Sequence, residues 1–144
     1  MKDNKETIKV LNQLLQGEYM ALESFNLFIS RMDDKNIKDE LLQIQKEHRN
    51  NIESLSNYIL DIGGKPEENI GMMGRMGGMM LRNQLGHSSD ANEVIEKAID
   101  GEIKGISKTE KILRGNLDDD SRKLTGGILE NDRDTIDKLR NLLS

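Results

Sequence analysis

The chain has no cysteine and no tryptophan, its one proline is Pro66, and aromatic residues make up only 3% of it. Each shortage removes a class of protein. Without cysteine there is no disulfide, no iron–sulfur cluster and no thiolate zinc site. Few aromatic residues leave little material for strands, whereas Leu, Lys, Glu and Gln favour helix. No window approaches the ~20 consecutive apolar residues that a membrane span needs. The first ten residues, MKDNKETIKV, lack the apolar centre of a signal peptide, so the cytoplasm is the expected location. A basic surplus is missing too. The net charge is -5 and the 33% of charged residues are of mixed sign, which reads as solvated helix faces and argues against a nucleic-acid partner. No Ser stands in a Gly-x-Ser-x-Gly context, so nothing supports nucleophilic catalysis.

What is present is helical periodicity. Leu11, Leu15, Leu22, Phe25 and Ile29 recur at steps of three and four, the mark of one buried stripe. This predicts a first helix from about residue 5 to 32. Asp33, Asp34 and Asn36 offer a turn and an N-cap. A second stripe, Leu41, Ile44, Ile52, Leu55 and Ile59, stops at Gly63-Gly64-Lys65-Pro66, where Gly followed by Pro ends a helix. A third begins after Ser88-Ser89-Asp90, with Asp90 and Glu93 at capping-box spacing, and runs through Val94, Ile95, Ile99, Ile106 and Ile112. Asp118, Asp119 and Asp120 make the next turn, and Leu124, Ile128, Leu129, Ile136 and Leu139 mark the last helix.

Two short turns imply two antiparallel hairpins, at about residues 5–62 and 91–144, joined by a crossover of about residues 63–90. A helix of ~27 residues spans ~40 Å. The crossover is long enough to run that length and still hold a short helix. The expected architecture is therefore one all-α domain, a four-helix bundle of two hairpins with a single long connection. Sliding the chain by 84 positions superposes the hairpins without a gap. Val10 meets Val94, Gly17 meets Gly101, Glu18 meets Glu102, and Arg49 meets Arg133. An internal repeat with pseudo-twofold symmetry is the corresponding expectation.

Each stripe is interrupted near mid-length by polar side chains. The first carries Glu18 between Leu15 and Leu22, and the second carries Gln45 and His48 before Ile52. The third carries Glu102 between Ile99 and Ile106, and the fourth carries Asp132 between Leu129 and Ile136. The repeat brings them to one layer. An isolated carboxylate in a core costs several kcal/mol, so Glu18 and Glu102 need compensation. A bound iron, manganese or zinc ion is one answer, because oxygen and imidazole donors on facing helices suit such cations. Internal pairing is the other, through Arg49 and Arg133 beside the layer or through a protonated His48.

Gly17-Glu18 and Gly101-Glu102 resemble the helix-borne Glu ligands of the ferritin-like superfamily, including rubrerythrin-type domains. The stop from Gly63 to Glu67, Gly-Gly-x-Pro-Glu, is similar to that of small bacterial ferritin-like proteins of unknown function. The resemblance covers most of the chain. It implies a ferritin-like bundle, a metal site of Glu18, His48, Glu102 and Asp132, and self-association as a homodimer. The chain departs from the superfamily's di-iron pattern, which requires Glu-x-x-His on the second and fourth helices. Here those stretches read Gln45-Lys46-Glu47-His48 and Leu129-Glu130-Asn131-Asp132. Glu47 and Glu130 are displaced by one or two residues at ~100° of rotation each. They would face inward only after a register shift.

In the crossover, Met72, Met73, Met76, Met79 and Met80 fit one helical face, while Gly71, Gly74 and Gly78 fit another. The expected arrangement is a short helix whose Gly face allows close approach and whose Met face fills gaps in the packing. A Cu(I) thioether site, with His87 nearby, and an adaptable partner-binding surface are the other readings. His87 reads as a solvated loop residue and Tyr19 as a packing residue.

Two functions remain open. One is a ferritin-like protein with a degenerate intra-bundle site for iron or another divalent ion, which, if enzymatic, would be a peroxidase-like or ferroxidase-like oxidoreductase. The other is a metal-free, non-catalytic bundle serving interaction or oligomerisation.

Overall fold

The computed structural model describes residues 4–88 and 90–144, with the side chains of Met72 and Met73 outside that description. The expectations placed on Ser89, Met72 and Met73 therefore lie outside the described residues. Five helices follow one another: α1 (Lys5–Ser30), α2 (Lys35–Asp61), α3 (Gly71–Leu85), α4 (Ala91–Leu113) and α5 (Asp119–Leu142). α1 pairs with α2 and α4 pairs with α5 as hairpins. Contacts of α1 with α4 and of α2 with α5 close the four into a bundle, and α3 lies against α1.

The helix boundaries have local causes. Asp34 caps α2 by accepting from the backbone N–H of Ile37. Asp118 caps α5 through the N–H of Ser121. Asp90 caps α4 through Asn92 and Glu93, but the reciprocal half of the capping box does not form. The Glu93 carboxylate instead accepts from the Ser88 hydroxyl at 2.8 Å. An Asp-to-Ala loss at such caps typically costs ~1 kcal/mol. α2 ends in a Schellman turn: Gly63 N–H donates to Leu60 and Gly64 N–H to Ile59. Gly63 adopts φ +88°, which disfavours any side chain, and a Cβ at Gly64 would stand 2.8 Å from Ile8 and 2.9 Å from Ile59. The two glycines thus serve two different needs.

The crossover is tied to the bundle by a buried side chain. Asn12 donates to the carbonyl of Lys65 at 3.0 Å and accepts from the N–H of Glu67 at 2.8 Å. These bonds satisfy backbone groups that have no helical partner.

The core falls into two apolar clusters. One gathers Phe25, Phe28, Leu41, Ile44, Val94, Ile95 and Leu139. The other gathers Leu11, Leu14, Leu15, Leu55, Ile59 and Ile128. Full burial of each such side chain contributes about 1.5–3 kcal/mol. Along every long helix, the polar residue of the stripe sits between the residues of these two clusters.

α3 departs from expectation in its methionines, not in its glycines. Its glycine side faces inward: Gly74 is buried, and a Cβ there would lie 2.7 Å from the Ile70 side chain and 2.9 Å from Met20. Three of its methionines face out: Met76, Met79 and Met80 are exposed at 64%, 63% and 61%. These three methionines do not fill gaps in the packing. Both faces of the helix are apolar, and close approach to α1 is possible only on the side that lacks side chains. His87 is exposed and Tyr19 packs beside the second cluster, as expected. No described helix is long and apolar enough to cross a membrane.

Candidate metal centre

Four residues from four helices meet between the apolar clusters: Glu18 of α1, His48 of α2, Glu102 of α4 and Asp132 of α5. All are buried. His48 is the hub. Its Nδ1 lies 2.6 Å from Glu18 Oε2 and its Nε2 lies 2.6 Å from Glu102 Oε1. The imidazole therefore spans the bundle, joining the carboxylates of α1 and α4 from its place on α2. Asn51, one helical turn beyond His48, donates to the same Glu18 oxygen at 3.4 Å. The Phe25 ring flanks the imidazole at a centroid distance of 5.6 Å, within reach of a cation–π contact.

The electrostatics follow from this arrangement. Burial alone would lower the His48 pKa. Hydrogen bonds to Glu102 and Glu18, with the charges of both, outweigh it and hold the imidazole well above its ordinary value. Both ring nitrogens then carry protons and donate. Asp132 moves the other way for a carboxyl. Burial, then the charges of Glu18 and Glu102, push it up to about 8, with partial relief from His48. It is largely a neutral acid at pH 7.

The donor set suits a borderline divalent cation. One ligand atom from each of Glu18, His48 and Asp132 lies within 4.8 Å of the other two. Carboxylate and imidazole in that combination match iron, manganese or zinc. Glu102 stands outside this triple, on the opposite edge of the imidazole ring.

The residues expected beside the layer behave differently. Arg49 and Arg133 do not reach the buried glutamates, contrary to the pairing considered above. Both are exposed. Arg49 donates to Gln45 at 3.4 Å, and Arg133 pairs with Glu110 at 3.5 Å. Each follows the inward residue of its helix by one position, and that rotation turns it out of the bundle. His48 supplies the buried positive charge instead. Asn51 escaped the sequence reading because it does not ionise, although its three-residue spacing from His48 marks the same helix face.

A second metal position lacks its ligands. Gln45 is buried and committed elsewhere, donating to the Leu22 carbonyl at 2.9 Å and to Asn26 Oδ1 at 2.7 Å. Leu129 belongs to the core. Glu47 pairs with Lys138 at 2.8 Å and Glu130 is exposed, so neither register shift occurs.

Comparison with known proteins agrees with this architecture. The chain superposes on a two-domain protein of Anabaena variabilis that contains DJ-1/ThiJ/PfpI-like and ferritin-like domains. The TM-score is 0.78 at 18% identity, over 98% of this chain and 36% of that one. The likeness is one of fold, and this chain spans about a third of that protein's length. No curated protein matches. Residues 6–115 match the family described as a domain of unknown function, DUF2383. The chain is a ferritin-like helical bundle and belongs to the DUF2383 family.

Proposed function

We propose that the protein binds one divalent transition-metal ion, with iron the leading candidate, at Glu18, His48 and Asp132, in exchange for protons. The observation that carries this reading is the proximity of three buried donor groups on three helices, with two removable protons among them. Charge accounting supports it. With Glu18 and Glu102 as carboxylates, His48 protonated and Asp132 neutral, the layer has a formal charge of −1. Loss of one proton from His48 and one from Asp132 leaves room for a +2 ion at the same total charge. The desolvation that penalises a change of buried charge is thereby avoided.

Glu102 takes a positioning role. If the nitrogen of His48 beside Glu18 gave up its proton to hold an ion, Nε2–H would still donate to Glu102, the carboxylate–histidine–metal relation that fixes a ring's tautomer and orientation. A held iron ion would supply Lewis acidity and one-electron redox chemistry. The residues Gln45 and Leu129 support one ion rather than two.

The test is metal analysis of purified protein, followed by anaerobic titration with Fe2+, Mn2+ and Zn2+. Stoichiometric binding of one ion, abolished by Glu18→Ala and by Asp132→Asn, is expected. Glu102→Ala should weaken it by about 10–100-fold without abolishing it. A second reading is favoured by the two 2.6 Å bonds of His48: a metal-free ionic layer in which the imidazolium is itself the counter-ion, within a non-catalytic bundle. No binding of any of the three ions would select it.

A further inference from the structure

α3 rests on α1 through Gly74 and Met20, and its last turns are tied to α4, where Lys97 donates to Gln84 at 3.3 Å. Between α1, α3 and α4 lies a groove of about 650 Å³. That volume is in the range of small-molecule sites. Three features of its lining point to one kind of occupant.

The first is a wall of glycines that the chain itself does not require. Gly17 of α1, Gly78 of α3, and Gly101 and Gly105 of α4 all line the groove. A Cβ built on any of them meets nothing within 4 Å. Glycine in a helix interior weakens the helix relative to alanine. Four such positions around one groove keep open a space that packing would otherwise allow to be filled. The second feature is an apolar stretch of Met20, Leu27, Leu81 and Ile103, none of them fully buried, above the first core cluster.

The third is charge. Lys97, Lys104 and Lys108 come from one face of α4, and Arg82 comes from α3. Lys104 and Lys108 are neighbours four residues apart, a like-charge pair that disfavours the helix unless an anion joins it. Among the described residues, neither lysine nor Arg82 forms an ion pair. Glu23, Asp100 and Glu102 also line the groove, so its four cations exceed its carboxylates by one in a chain that is acidic overall.

We propose that this groove binds a small anionic amphiphile, its alkyl chain along Leu27, Leu81 and Ile103 and its acidic head at Lys104 and Lys108. Glu102 lines the same groove, so the occupant lies beside the carboxylate that holds His48. Binding does not depend on the metal reading, because the groove and its lysines exist whether or not an ion is held.

Calorimetric titration of the full chain with dodecanoate, dodecyl phosphate, dodecan-1-ol and acetate tests this, below the concentrations at which the amphiphiles aggregate. Saturable binding of one dodecanoate is expected, with dodecan-1-ol and acetate at least ~10-fold weaker, a difference of one charged contact. Dodecyl phosphate distinguishes a phosphate head from a carboxylate head, and tighter binding of either still supports the site. Lys104→Glu with Lys108→Glu, both exposed, should weaken dodecanoate at least ~10-fold. Gly101→Leu with Gly105→Leu should abolish it, while Gly101→Ala with Gly105→Ala should leave Tm unchanged or raised. No saturable binding of either charged amphiphile overturns the proposal. So does equal affinity for dodecan-1-ol, or binding unaffected by the lysine changes, a result that decides the matter even if the leucine variant does not fold.

Discussion

His48 Nε2 lies 2.6 Å from Glu102 Oε1 across the interior, although the two residues stand on α2 and α4, helices that share no extensive face. The imidazole thereby compensates two buried carboxylates at once. Replacing it by Gln leaves both without a positive partner. Breaking a buried ionic pair from one side costs about 3–5 kcal/mol. His48→Gln should lose stability of that order in urea denaturation at pH 7, and His48→Gln with Glu18→Gln should recover part of it. A loss below ~1 kcal/mol would mean that the two contacts do not form in solution.

Stability should fall as pH rises, the reverse of common acid denaturation. Asp132 has a folded pKa of about 8 against an ordinary value of 3.8, so the folded state holds a proton that the unfolded state releases across that window. Stability therefore declines between about pH 4 and pH 8 and levels off above. His48 adds to the same trend. Its raised folded pKa contributes stability that is fully present below about pH 6.5 and lost as pH rises through the folded value. Denaturant midpoints measured from pH 5 to pH 9 should drop, and Asp132→Asn should flatten the part below pH 8. A bound divalent ion should oppose the trend, since its affinity grows as protons leave.

Gln45→Glu restores the carboxylate that the di-iron pattern places on the second helix, but it should not create a second metal position. The amide nitrogen of Gln45 donates to Leu22 O and Asn26 Oδ1, and a carboxylate can donate to neither. The expected result is a loss of about 1–3 kcal/mol from unsatisfied acceptors and an added buried charge. Thermal denaturation together with metal stoichiometry checks it. Two ions per chain would contradict the prediction.

The attachment of α3 to α1 depends on the missing side chain of Gly74. Gly74→Ala puts a Cβ 2.7 Å from Ile70 and 2.9 Å from Met20, and overpacking of this kind costs about 1–3 kcal/mol. Hydrogen exchange should then rise across residues 71–85 and stay unchanged in α2 and α5. Gly17→Ala, where a Cβ meets nothing, should instead stabilise by about 0.5–1 kcal/mol.

The bundle was legible because its signals are local: stripe period, Asp caps at positions 34, 90 and 118, and the Gly63-Gly64 stop. The polar layer was legible for the same reason, since Glu18, His48, Glu102 and Asp132 each interrupt an apolar stripe in register. Two things were not. The sequence left open whether Arg49, Arg133 or His48 balances the buried glutamates. That choice depends on ~100° of rotation between adjacent residues and on which side chain reaches across to another helix. The outward turn of Met76, Met79 and Met80 was also hidden, because a helix apolar on both faces does not say which one it buries.

The most direct test is anomalous scattering from a crystal of the protein soaked in Fe2+ without oxygen. The account predicts one peak among the side-chain ligand atoms of Glu18, His48 and Asp132, with Glu102 still bonded to His48 Nε2. No peak in the layer, or two peaks bridged by its carboxylates, would contradict it.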